Sequence, residues 1–221
     1  MTIEDLVAYF PALYHMAEDG SWESIRRHGL LSTSALLNLF EYSGPRREEI
    51  EARRRPTSIH IKHPVHGTAA IRDQGPISDA ALRRWLIDMT PTDWYRLLNA
   101  RVFFWLGRRR LETLLGARLY RGQAHIVLTV DTAAVVERHV DRITLSPINT
   151  GATHRGGSPR GANTFLPIRA YPFRAGRRSA ASLAESIAEL AVEHSVIDIE
   201  ELVTRVERVR DGAVIETIYS R

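Results

Sequence analysis

Apolar and polar positions alternate along this chain with two periods, and the switches between them outline its elements. Residues 2–10 carry a helical spacing that opens with Thr2 and Asp5 in capping-box register and stops at Pro11. Leu13-Tyr14-His15-Met16 reads as a brief strand, ended by Glu18-Asp19-Gly20. Ser21 stands where it would cap a helix over residues 22–28, and Gly29 where a left-handed residue would close it. Helices are predicted over 35–42 and 45–55, the second with Glu and Arg at i,i+4 on a solvated face. Residues 58–62 alternate as an edge strand does, and 67–72 form another strand. Ser78 and Thr90, the latter followed by Pro91, cap two more helices. The run Arg101-Val102-Phe103-Phe104-Trp105-Leu106 is apolar enough for the centre of a sheet. A helix over 108–119 follows, then a buried strand over 124–130, a short helix to His139 and a strand around Ile143. Beyond lie a short apolar segment at 164–168, the segment around Glu189, an amphipathic stretch over 199–208 and a terminal strand over 214–219. Helices crowd the first half and strands the second, which predicts an α+β fold rather than regular βαβ winding.

A length of 221 residues fits one domain spanning 1–221, and 44% hydrophobic residues suffice for a sizeable core. The absence of cysteine excludes a disulfide framework, thiolate-bound zinc and a thiol nucleophile. The opening Met1-Thr2-Ile3-Glu4-Asp5 is acidic and carries no basic-then-apolar signal. No apolar run approaches the roughly twenty residues that span a bilayer. The expectation is a cytoplasmic protein without a membrane partner. A formal charge of +4 permits a nucleic-acid partner without requiring one.

The charge is unevenly placed. Residues 142–184 contain no Asp or Glu but carry Arg142, Arg155, Arg160, Arg169, Arg174, Arg177 and Arg178, with glycine-bearing turns at Asn149-Thr150-Gly151 and His154-Arg155-Gly156-Gly157. Such a loop meets phosphates without displacing ion pairs of its own, although in a chain whose only lysine is Lys62 a plain arginine-rich surface loop accounts for it too. Arg155 and Arg160, each followed by glycine, are the side chains expected to stand free for phosphate oxygens. Carboxylates return in Ile187-Ala188-Glu189-Leu190-Ala191-Val192-Glu193, whose periodicity admits a strand or a helix. His60, His63 and His66 are regularly spaced, but a strand would splay them, Pro64 intervenes and no carboxylate completes the set, so no metal is expected. Neither a GxxxxGK[ST] loop, a GxGxxG turn, a GxSxG elbow nor an HExxH helix is present. Taken singly, His15 reads as a core or surface histidine, and Arg72 as one half of a local ion pair with Asp73.

The order of these pieces resembles a known family. Leu13-Tyr14-His15-Met16 followed by Ser24-Ile25-Arg26-Arg27-His28-Gly29-Leu30-Leu31 is similar to the opening motif of the DarT-like ADP-ribosyltransferases and, more distantly, of the RNA 2′-phosphotransferases. The strand at 101–106 resembles the central aromatic strand of the DarT-like proteins. Ile187 to Val192, with His194-Ser195-Val196 and Ile199 beyond, resembles the segment that carries their catalytic glutamate. The resemblance covers most of the chain in order, through short and degenerate motifs.

By position, the resemblance implies an ADP-ribosyltransferase-like fold with a split antiparallel sheet, and NAD⁺ as co-substrate. His15, with Tyr14 beside it, would contact the ribose and amide end, and Arg72 would grip the diphosphate, with Arg54 or Arg55 as competitors. Glu189 would steady the ribosyl cation and help activate the acceptor. The loop with Asn149, His154, Arg155 and Arg160 would recognise the acceptor, expected to be DNA or RNA, and the resemblance leaves room for a neutralising antitoxin partner. The lack of Glu-x-Glu at Glu189 argues against transferases that modify arginine. An RNA 2′-phosphotransferase-like enzyme and a catalytically silent nucleic-acid-binding module are the alternatives.

Overall fold

A computed structural model describes residues 1–153, 157–172 and 186–221. Short-range chemistry sets the first elements. Helix α1 (Ile3–Tyr9) begins with the full capping box between Thr2 and Asp5 and leads into strand β1 (Ala12–Glu18). Helix α2 (Trp22–His28) lacks the predicted cap, because Ser21 is itself helical and its hydroxyl donates to Glu18 O at 2.6 Å. Gly29 ends α2 with φ 83°, and a Cβ there would lie 2.6 Å from the backbone of Ile197, so glycine is required twice over. After β2 (Leu30–Leu31) come α3 (Thr33–Leu39), capped by Ser32, and α4 (Gly44–Glu51).

Strands β3 (Ile59–His63) and β4 (Gly67–Ile71) pair only with each other, so the predicted edge strand belongs to a separate hairpin. Helices α5 (Asp79–Trp85) and α6 (Pro91–Asn99) start at Ser78 and Thr90, whose hydroxyls accept from Ala81 N and Asp93 N. Next come β5 (Arg101–Trp105), α7 (Arg108–Leu115), β6 (Ala124–Asp131), α8 (Thr132–His139) and β7 (Ile143–Ser146). The last are β8 (Leu166–Pro167), β9 (Glu189–Glu193), β10 (Ser195–Val196), α9 (Ile199–Leu202), β11 (Val203–Arg210) and β12 (Ala213–Ser220). Residues around Glu189 are therefore a strand. The amphipathic stretch at 199–208 divides into one helical turn and the start of β11.

The result is an α+β domain built on an eight-stranded sheet of order β12-β11-β6-β1-β5-β9-β7-β8, antiparallel throughout. One face carries Leu13, Val102, Phe104, Leu128, Leu190 and Val192 against α1, α2, α8 and α9. The other splits its load: Phe103 and Ala191 meet α5 and α6 around Trp94, while Tyr14, Met16 and Trp105 meet Leu111 and Leu115 of α7. In β5 the buried Val102 and Phe104 alternate with the half-buried Arg101, Phe103 and Trp105, so the face towards the larger cluster is the more deeply covered. No helix among the described residues is long and apolar enough to cross a membrane.

Pairing between β1 and β6 runs over seven positions, and between β5 and β9 over five. Between β1 and β5 it is confined to Tyr14↔Trp105. Past that point the two strands separate, and the space between them opens into a cleft.

Phe104, 1% exposed on β5, lies in the larger apolar cluster. Phe104→Ala is expected to cost about 3–5 kcal/mol, the range for deleting a buried aromatic ring. Urea denaturation checks this, and a loss below about 1 kcal/mol would mean that β5 is not a central buried strand.

Candidate functional site

Where β1 leaves β5, a cleft of about 500 Å³ runs between them, lined by residues of both strands, of α2 and of the β3–β4 hairpin, with Asn149, Thr150 and Glu189 among its walls. His15 sits at the point of divergence. Its Nδ1 lies 2.8 Å from Phe103 O. A carbonyl can only accept, so Nδ1 carries the proton, and this side-chain bond takes the place of a ladder bond that the separating strands no longer make. Burial pushes the imidazole pKa down to about 4, and the nearby Arg72 charge acts in the same direction. The ring is thus neutral at physiological pH, and with Nδ1 tied back Nε2 is the nitrogen left to accept from a ligand.

Glu189 opens β9, paired with Trp105 of β5 on one side and Ser146 of β7 on the other. It is 4% exposed and lines the same cleft. Its Oε2 accepts from both Thr150 N at 3.1 Å and Thr150 Oγ1 at 2.7 Å. Burial raises its pKa to about 7, despite the Thr150 hydrogen bonds and the charges of Arg110 and Arg160, which favour the carboxylate. A carboxyl poised near neutrality in the same cleft as a neutral histidine suits proton transfer and the stabilisation of transient positive charge.

Arg72 follows β4 and reaches the cleft wall. Its guanidinium lies over the Tyr120 ring, 4.8 Å from the centroid, and Nη1 is 3.4 Å from His125 Nδ1. Asp73 does not pair with it: that carboxylate accepts from Gly75 N at 2.8 Å and from the Tyr120 hydroxyl at 3.2 Å. Among the described residues Arg72 has no ion pair, so its charge is available to an anion. Its competitors are committed elsewhere. Arg55 is 5% exposed and donates to Arg72 O, Ile50 O and Asn99 Oδ1, a buried strut between segments, and Arg54 donates to Gly75 O.

Not every expected residue converges here. Tyr14 lies outside the cleft lining and packs in the cluster under α7 with Met16 and Trp105, which do reach the cleft. Asn149 does line the cleft. Arg160 does not stand free: it is 4% exposed, with Nε donating to Ser158 O at 3.2 Å and Nη1 to Ala152 O at 2.8 Å. A buried guanidinium tied to two carbonyls of its own loop holds that loop in shape and does not stand on the surface for a phosphate. His154 and Arg155 lie outside the described residues, as do Arg174, Arg177 and Arg178. The spaced histidines are splayed only in part, because β3 ends at His63 and the turn brings His66 back onto it. His60 faces the cleft, whereas His63 and His66 stack on each other and His66 meets His28. Among the described residues no group of three or more His, Asp or Glu side chains is placed to hold a metal. Thr150, Tyr120 and His125 carry no motif in the sequence. Thr150 alone had a pointer, the turn Asn149-Thr150-Gly151.

A family model described as a family of unknown function, DUF7002, matches residues 11–203. The chain belongs to the DUF7002 family. The matched span runs from just before β1 to the first residue of β11 and contains every cleft residue named above, while most of the β11–β12 hairpin lies beyond it. No curated protein matches the chain.

Titration of the site has a defined sign. Glu189 binds its proton more tightly folded than unfolded, so its contribution to stability is full below about 4.5 and is lost as pH rises through about 7. His15 works oppositely: its contribution is present above about 6.5 and is lost as pH falls through about 4. The two offset each other in the window between. Glu189→Gln removes the first, so wild type should gain on the mutant as pH falls from 8 to 5, by about 2–3 kcal/mol. Urea denaturation of both proteins at the two pH values measures this, and an equal difference at both would show that the carboxyl is not held near neutrality.

Proposed function

We propose that this protein is an NAD⁺-dependent ADP-ribosyltransferase with an ADP-ribosyltransferase-like fold, modifying a nucleic-acid acceptor. The observation that carries the reading is the buried Glu189 carboxyl, poised near neutrality on a central strand and opening into a cleft that also holds neutral His15 and unpaired Arg72. The sequence resemblance to DarT-like transferases supports it at the same three residues. The single-pair joint between β1 and β5 is consistent with a split sheet.

In this reading Arg72 holds the diphosphate and His15 Nε2 accepts a hydrogen bond from the ribose or amide end. The bond between ribose C1′ and the nicotinamide nitrogen breaks, and its electron pair neutralises the departing pyridinium. Positive charge develops on the ribosyl ring, and the buried Glu189 carboxylate stabilises it electrostatically. The acceptor's lone pair forms the new bond to C1′, and the acceptor's proton passes to Glu189. A nucleic-acid acceptor is favoured by the carboxylate-free arginine segment over 142–184, although Arg160 contributes through the loop's shape rather than by contact. An RNA 2′-phosphotransferase-like activity has no use for a glutamate in this position.

Incubation with adenylate-labelled NAD⁺ and separate DNA, RNA and protein pools tests the reading. Wild type should release nicotinamide and label a nucleic-acid pool. Glu189→Gln, which keeps the size and deletes the charge needed in the transition state, should bind NAD⁺ with little change but turn over about a hundredfold or more slowly. Neither label nor nicotinamide from wild type, with any pool, would favour a binding module instead.

A further inference from the structure

We propose that Thr150 is a positioning residue that clamps Glu189 Oε2 with two donors, so that Oε1 alone meets the ligand and takes up the proton. The inference deepens the reading above and rests on Glu189 being the reacting carboxylate.

Both donors come from one residue: the Thr150 amide at 3.1 Å and its hydroxyl at 2.7 Å converge on the same oxygen. Thr150 is 1% exposed, so neither donor exchanges freely with water. Two donors from one residue define the plane of the carboxyl more tightly than one would, and β9 fixes the other end of the side chain through its pairs with β5 and β7.

The clamp is itself anchored. Ser146 Oγ donates to Ile148 O at 2.9 Å and accepts from Ile148 N at 3.2 Å, which sets the exit from β7. Arg160 Nη1 donates to Ala152 O at 2.8 Å, Thr153 N donates to Pro76 O at 3.2 Å, and Ser78 N donates to Thr153 Oγ1 at 2.7 Å. The segment bearing Thr150 is therefore pinned on both sides, to β7 before it and to the start of α5 after it. This gives the buried Arg160 a purpose that a surface loop arginine lacks.

An oxygen receiving two donors has little capacity for a proton, so the proton of the neutral carboxyl resides on Oε1. The same atom then faces developing positive charge when ionised and receives the acceptor's proton. A carboxyl free to rotate would divide these duties between two oxygens and spend part of its time misaligned.

The test compares Thr150→Val, which removes the hydroxyl and keeps shape and amide, with Thr150→Ser, which restores it. The readout is the ¹³C shift of the Glu189 carboxyl against pH in glutamate-labelled protein, with the signal assigned by its loss in Glu189→Gln. Removing a donor to the charged form should move the Glu189 midpoint in Thr150→Val upward by about one pH unit, and Thr150→Ser should titrate as wild type does. A valine variant with an unmoved midpoint, or a serine variant shifted as far as valine, would overturn the clamp. Should valine not fold, Thr150→Ala removes the same oxygen with more room and is read identically. The titration needs no NAD⁺ and no turnover, so it judges the clamp whether or not the transferase reading survives.

Discussion

Between β1 and β5 the sheet has one register pair, Tyr14↔Trp105, and one side-chain bond, His15 Nδ1–H to Phe103 O, where a full ladder would otherwise stand. Everything proposed for this protein depends on that interruption. Unpaired strand edges are costly when buried, since each lost backbone bond leaves a desolvated donor or acceptor. The chain meets the cost in two ways. A histidine side chain satisfies one carbonyl, and the strands part where a ligand-sized space can hydrate or bind the rest. The sheet stays whole on either side because β1 is held by β6 along its length and β5 by β9.

The same interruption sets the electrostatics. A carboxyl on a central strand of a closed sheet would be buried without recourse. Glu189 is tolerated because its own strand ends beside the opening and because Thr150 supplies two donors from a pinned loop. Burial still outweighs those donors, and the result is a carboxyl near neutrality. Elsewhere in the cleft, burial and Arg72 keep His15 uncharged. Among the described residues the cleft thus offers a carboxyl near neutrality, a neutral acceptor nitrogen and, in Arg72, a guanidinium without an ion pair, the groups to which the proposed reading assigns the ligand.

Legibility in the sequence followed the range of the interaction. The caps at Thr2, Ser78 and Thr90 were readable because a side chain and an amide three residues apart decide them. Ser21 misled because its hydroxyl found Glu18 O within the preceding turn. Whether the residues at Glu189 form a helix or a strand was open, because the alternation of five residues is settled only by β5 and β7, far off in sequence. Tyr14 lies under α7 rather than in the cleft, a placement set by its packing with Leu111 and Leu115 far off in sequence. Arg160 was unreadable for the opposite reason: its partners are the carbonyls of Ala152 and Ser158, which no side-chain pattern announces. The wall formed by Arg72, Tyr120 and His125 joins three distant segments and likewise left no local trace.

The central claim is that the opening between β1 and β5 is an NAD⁺ site with His15 and Glu189 inside it. Titrating NAD⁺ into wild-type protein while following the His15 imidazole and Glu189 carboxyl resonances tests it most directly, because it reads binding and place together. The account predicts saturable shifts of both signals with a common dissociation constant, both weakened by Arg72→Ala. Unmoved His15 and Glu189 resonances at saturating NAD⁺ would contradict it.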